Sequence, residues 1–207
     1  MRYLFGTMLF AVCTLCSAET YRGIGALDKL KDIKNRFPYA KVEKVNPGWI
    51  KPDEAMYRFT GEGMAGSIII KFFDNREFWK NEADKVNDPE MAENLRALAQ
   101  RSDDEALGIS WVRWVPDRPI PLERLISKYG KPEESSYSEE DYQPVRQWIE
   151  KGLVTYLTDD EKYVNRIDFT FTKKEIREAY LAKGMPVPPE FMEDDTVAPV
   201  KKSKKSK

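Results

Sequence analysis

Twice along the chain, a helical apolar pattern is followed by about three strand-like runs with only short turns between them, first over 26–73 and again over 121–171. Strands that follow one another through short turns pair antiparallel, because a parallel pair needs a crossover of about a dozen residues. Helices leading into such a meander bury their apolar stripe against one face of it. The order therefore predicts an α+β fold. Its antiparallel sheet carries helices on one face, as two tandem α-β-β-β units that share a sheet or lie side by side.

The local signals support this reading. Leu27, Leu30, Ile33 and Phe37 recur at near-helical spacing over 26–36, and Pro38 stops the pattern. Segments 39–45, 55–60 and 67–73 read as strands. Ile68, Ile69, Ile70, Phe72 and Phe73 have the β-branched and aromatic composition that strands favour. Asp88-Pro89 caps a connecting helix with Met91, Leu95 and Leu98 on its apolar side. Strand 109–115 puts Trp111 and Val115 on one face and Val112 and Trp114 on the other, and both faces read as covered. Leu122, Leu125, Ile126 and Tyr129 mark a third helix, closed by Gly130 and Pro132. Strands 145–149, 153–158 and 163–171 follow, the last two joined by a turn at 159–162. Thr172-Lys173-Lys174-Glu175 is a capping box that opens a last helix, ending at Gly184. The units then divide as 19–107 and 108–185, with a basic tail over 186–207 expected to be disordered.

The run Leu125-Ile126-Ser127-Lys128-Tyr129-Gly130-Lys131-Pro132 is a helix ending in Tyr-Gly-x-Pro before a meander. It resembles small bacterial envelope modules: the outer-membrane assembly lipoproteins of the SmpA/OmlA type, and the β-lactamase inhibitor protein with its two such repeats. The resemblance covers this motif and the element order of roughly half the chain. It implies protein binding in the envelope. The chain has neither the lipid-acceptor cysteine of the first nor the disulfides of the second, so no functional residue carries over.

The two ends fix the expected compartment. Arg2 is the only charge before Glu19, and the apolar stretch between them ends in Ser17 and Ala18. A basic start, a short apolar run and small residues at the end form a secretory signal. The run is shorter than the ~20 residues of a spanning helix, so cleavage after Ala18 into the periplasm is expected rather than a retained anchor. Cys13 and Cys16 have C-x-x-C spacing but lie inside this signal. The tail Lys201-Lys202-Ser203-Lys204-Lys205-Ser206-Lys207 reads as a solubilising tail, or as an arm that contacts an anionic membrane surface.

Composition excludes several functions. Without Arg2 and the five tail lysines, 28 basic groups (34 less these six) face 35 acidic ones. A mildly acidic body does not suit nucleic acid. With no histidine anywhere and no cysteine past Cys16, the mature chain has no Ser-His-Asp triad, histidine-bound zinc, thiol nucleophile or disulfide. Gly61-Glu62-Gly63-Met64-Ala65-Gly66 matches G-x-G-x-x-G, but strand residues follow it where a dinucleotide site needs a helix, so it reads as a hairpin loop. The carboxylates cluster in loop-like runs at 139–141, 159–161 and 193–195. Asp159-Asp160-Glu161 lacks the alternating ligands and glycine of a calcium loop.

No catalytic residue, metal ligand or cofactor is assigned. Trp111, Trp114, Trp148 and Tyr142, with Tyr156 and Tyr163 nearby in sequence, either pack the sheet or line a groove; the first four are the candidate binding residues. The expected function is that of an exported, non-enzymatic protein that binds another envelope protein or a peptide through a sheet surface. The alternative is a cell-wall glycan-binding module or a carboxylate-dependent glycan hydrolase.

Overall fold

A computed structural model describes residues 21–192. The expected signal with its cleavage point at Ala18, the Cys13/Cys16 pair and the lysine run 201–207 lie outside the described residues. The first half contains α1 (Leu30–Arg36), β1 (Lys41–Val45), β2 (Glu54–Thr60), β3 (Gly66–Phe73), α2 (Arg76–Ala83), α3 (Pro89–Ala99), α4 (Asp103–Ala106) and β4 (Gly108–Pro116). The second contains β5 (Ile120–Pro121), α5 (Leu122–Tyr129), β6 (Glu134–Ser138), β7 (Gln143–Trp148), β8 (Leu153–Leu157), β9 (Tyr163–Thr170) and α6 (Lys173–Ala182).

All strands belong to one antiparallel sheet in the order β1-β2-β3-β4-β9-β8-β7-β6, with the short β5 paired on β9. The fold is α+β, and the two units share a single sheet. Each meander has four strands rather than the expected three, β1 to β4 in one and β6 to β9 in the other; β4, which the expected boundary at 108 put in the second unit, continues the first meander by pairing with β3. The meanders meet through their last strands, β4 antiparallel to β9. The strand order therefore reads the same outward from this junction, last strand to first, in both halves.

The extra strand in the second unit is β6. Its sequence Glu134-Ser135-Ser136-Tyr137-Ser138 has no apolar alternation because it is an exposed edge, paired only with β7. In the first unit, α1 starts at Leu30 and not at residue 26. Asp28 accepts the Gly25 N–H at 2.8 Å, and Asp32 accepts the Lys29 N–H at 2.7 Å. These side chains hold the preceding residues in a turn and set the N-cap at Lys29, three positions before Asp32.

One face of the sheet carries the core. Val42, Phe59, Ile68, Trp114 and Ile167 are successive cross-strand partners on it, as are Tyr57, Ile70, Val112, Phe169 and Leu153. Ile24, Leu30 and Ile33 cover the first half of this face. Leu125 covers the second, above Trp148, Leu153, Leu157, Val164 and Ile167. Each such large side chain contributes about 1.5–3 kcal/mol by leaving water. Trp114 and Phe169 pack against both clusters and join them into one core. The end of α6 lies beside the approach to α1, where Lys183 Nζ donates to the Leu27 carbonyl at 2.9 Å.

Three further placements differ from expectation. α2 and α3 form a helical pair in which Ala83 and Ala92 are the buried residues, while Met91 points outward. Trp111 and Val115 are half-exposed, so their face of β4 is not covered. Residues 186–192 do not run free: Pro189–Phe191 makes a helical turn, and the Phe191 ring stacks on Tyr180 with centroids 6.4 Å apart. The Thr172 capping box and the Asp88 cap form as expected. The glycine motif lies in the turn between β2 and β3, where Gly63 and Ala65 take left-handed backbone.

Candidate functional site: the uncovered sheet face

Side chains alternate across a strand, so the residues between the core positions form a second face. One continuous row crosses eight strands: Glu43, Arg58, Ile69, Arg113, Asp168, Val154, Gln147 and Glu134, each facing the next. A parallel row brings Met56, Lys71, Trp111 and Thr170 together. Among the described residues, no helix side chain of the two core clusters packs on these positions, and most of them are partly exposed, with Met56 buried.

Three cation–carboxylate pairs form a band over this face. Lys71 Nζ lies 2.7 Å from Glu54. Arg113 and Asp168 face each other across the β4–β9 junction in a bidentate pair, with Nε and Nη2 each 2.7 Å from a carboxylate oxygen. Arg166 makes a second fork, Nη1 and Nη2 donating to Asp141 at 2.8 and 2.6 Å. Ser138 Oγ adds a 3.1 Å bond to Asp141. Such forks fix two planar groups in one geometry and are stronger than neutral hydrogen bonds.

Each cation also lies against an aromatic ring. Lys71 Nζ is 5.8 Å from the centre of Trp49, Arg113 is 4.9 Å from Trp111, and Arg166 is 3.3 Å from Tyr156. The pairs shield one another, so Asp168 and Arg166 keep only 14% and 15% of their side-chain surface exposed. Arg166 Nε is buried without a partner. The hydrogen bond from Lys71 holds the Glu54 carboxyl below the usual range, and that from Arg166 does the same for Asp141. The band is therefore a surface of paired charges laid on Trp and Tyr rings. The Glu54 and Asp141 carboxyls are hydrogen-bond acceptors held away from the protonated form that a general acid requires.

The structure separates the four expected binding residues. Trp111 belongs to the band. Trp114 lies on the opposite face, in a cleft beneath α5, and its Nε1 has no partner. Trp148 is wholly enclosed in the second core, its Nε1–H donating to the Gly130 carbonyl at 2.9 Å. It shapes the fold from inside and offers no surface to a partner. Tyr142 stands at the β6–β7 turn next to Asp141, 76% exposed on a left-handed backbone.

The charged members of the band were not singled out in the sequence. Their signal was the period of two: Trp111-x-Arg113 and Arg166-x-Asp168 alternate with the core residues Val112 and Ile167. No family model, curated protein or solved structure matches the chain.

Proposed function

We propose that this is an exported, non-enzymatic binding protein that recognises another envelope protein or a peptide through the uncovered face of its sheet. The carrying observation is the band itself, in which Lys71, Arg113 and Arg166 each pair with a carboxylate and rest on an aromatic ring. Arg, Trp and Tyr dominate the energetics of protein interfaces. Strands hold these side chains in place, so little ordering entropy opposes docking. A partner that presents its own charges and main-chain groups in extended form fits a face whose donors and acceptors alternate. The Tyr129-Gly130-x-Pro132 resemblance to envelope modules, and the signal-like first 18 residues, support the compartment.

Wall glycan is the competing ligand, since Trp111 is a half-exposed ring on this face. Co-purification from envelope extract distinguishes the two. The native chain is expected to recover a protein partner in stoichiometric amount, and the Trp111→Ala/Arg113→Ala double variant to lose it. Recovery of soluble glycan and no protein would overturn the reading.

A further inference from the structure

On the helix side of the sheet, a cleft of about 490 Å³ opens between Tyr21 and α5, a volume within the range of small-molecule sites. Its floor is apolar, made by Trp114, Ile120, Leu125, Ile167 and Phe169. Arg22, Arg124 and Lys128 also line it, and among the described residues no carboxylate does. Two of the five N–H groups of Arg22 bond carbonyls, Nη2 to Met64 at 3.0 Å and Nη1 to Gly63 at 3.4 Å, which holds the guanidinium in place and leaves three donors. Arg22 itself has a left-handed backbone, φ 51° and ψ 34°, an uncommon state for a side-chain-bearing residue. Tyr21 Oη and Trp114 Nε1 in the cleft wall are shut from water and bonded to nothing. Buried polar groups without partners are rare enough in folded proteins to demand a reason.

We propose that the cleft binds one anionic amphiphile, an unbranched acyl chain lying on the apolar floor with its carboxylate held at the mouth by Arg22 and Arg124. Charge complementarity selects the head: among the described residues, Arg22 and Arg124 line the cleft and no acid does. The floor selects the tail, because a small hydrated anion would gain nothing from five apolar side chains. The site lies on the opposite face from the band, so this inference and the partner-binding reading fail independently.

Dodecanoate, titrated below its micelle concentration into the purified protein and followed by calorimetry, is the probe. Dodecyltrimethylammonium and acetate are the controls. Dodecanoate is expected to saturate at one molecule per chain, with both controls weaker by about tenfold or more. Arg22→Ala with Arg124→Ala should weaken dodecanoate by about tenfold. Arg124→Glu alone, an exposed change on α5, should weaken it without shifting the thermal midpoint. Equal binding of dodecanoate and the cationic amphiphile, uptake of many molecules per chain, no saturable heat, or unchanged affinity in Arg124→Glu would each overturn the proposal.

Discussion

Arg113 and Asp168 sit opposite each other at the centre of the sheet, where the two meanders meet. One residue before Arg113 is the buried Val112, and one residue after it is Trp114 in the cleft wall. Three neighbours in sequence thus serve three surroundings: the strand period sets Arg113 apart from the other two, and the cleft beneath α5 sets Trp114 apart from Val112. The tryptophans show the same division. Replacing Trp148 by Phe removes its bond to Gly130 and leaves a void in the second core, at an expected cost of about 2 kcal/mol. Trp111→Phe should cost less than that, about 1 kcal/mol or below, since its ring is only partly buried. Urea unfolding midpoints of the two variants check this contrast. The sequence shows that these aromatics lie on strands. It does not show which ones are sealed, because sealing of Trp148 depends on α5 and Gly130 closing over it.

At the level of elements, Asp103 does the most joining. From the start of α4 it accepts bonds from Tyr57 Oη of β2 at 2.6 Å, Lys44 of β1 at 3.1 Å and Arg76 of α2 at 2.7 Å. These bonds, the Tyr57 hydroxyl first among them, bring its pKa down to about 2. A carboxyl whose folded pKa is depressed binds fewer protons folded than unfolded, so stability falls as pH drops from about 4 toward 2. The loss should be on the order of 1 kcal/mol, given partial solvent screening. Asp103→Asn should flatten that part of the stability–pH curve, which chemical denaturation at a series of pH values would measure. α4 was illegible from sequence: four residues carry no periodic signal, and what fixes them is their distant partners. α2 was missed for a related reason, since Arg76 secures it through Asp74 and Asp103 rather than through an apolar stripe. The capped helices and the apolar strands were legible because their signals are local.

For the whole molecule, the decisive feature is that two α-β units share one sheet and one core. Trp114 and Phe169 belong to the packing of both halves. The protein should therefore unfold in a single transition, with far-ultraviolet circular dichroism and tryptophan fluorescence tracing the same curve. Phe169→Ala should lower that common midpoint, at a cost of about 2 kcal/mol, without splitting it. Two separated transitions would mean that the halves are independent domains. Sequence order predicted the α+β fold and its antiparallel sheet, but the junction between β4 and β9 is a long-range pairing that no local pattern encodes. That junction is also what makes the band continuous, because it brings Arg113 of one unit to Asp168 of the other.

A photoreactive residue placed at Ile69, on the row beside Arg113, reports on the sheet face in living cells, with the exposed Leu181 of α6 as the control site. If the face is a docking surface, irradiation yields one discrete adduct with an envelope protein from position 69 and none from position 181, and Arg113→Glu abolishes it. No adduct from position 69, or the same adducts from both positions, would contradict the account.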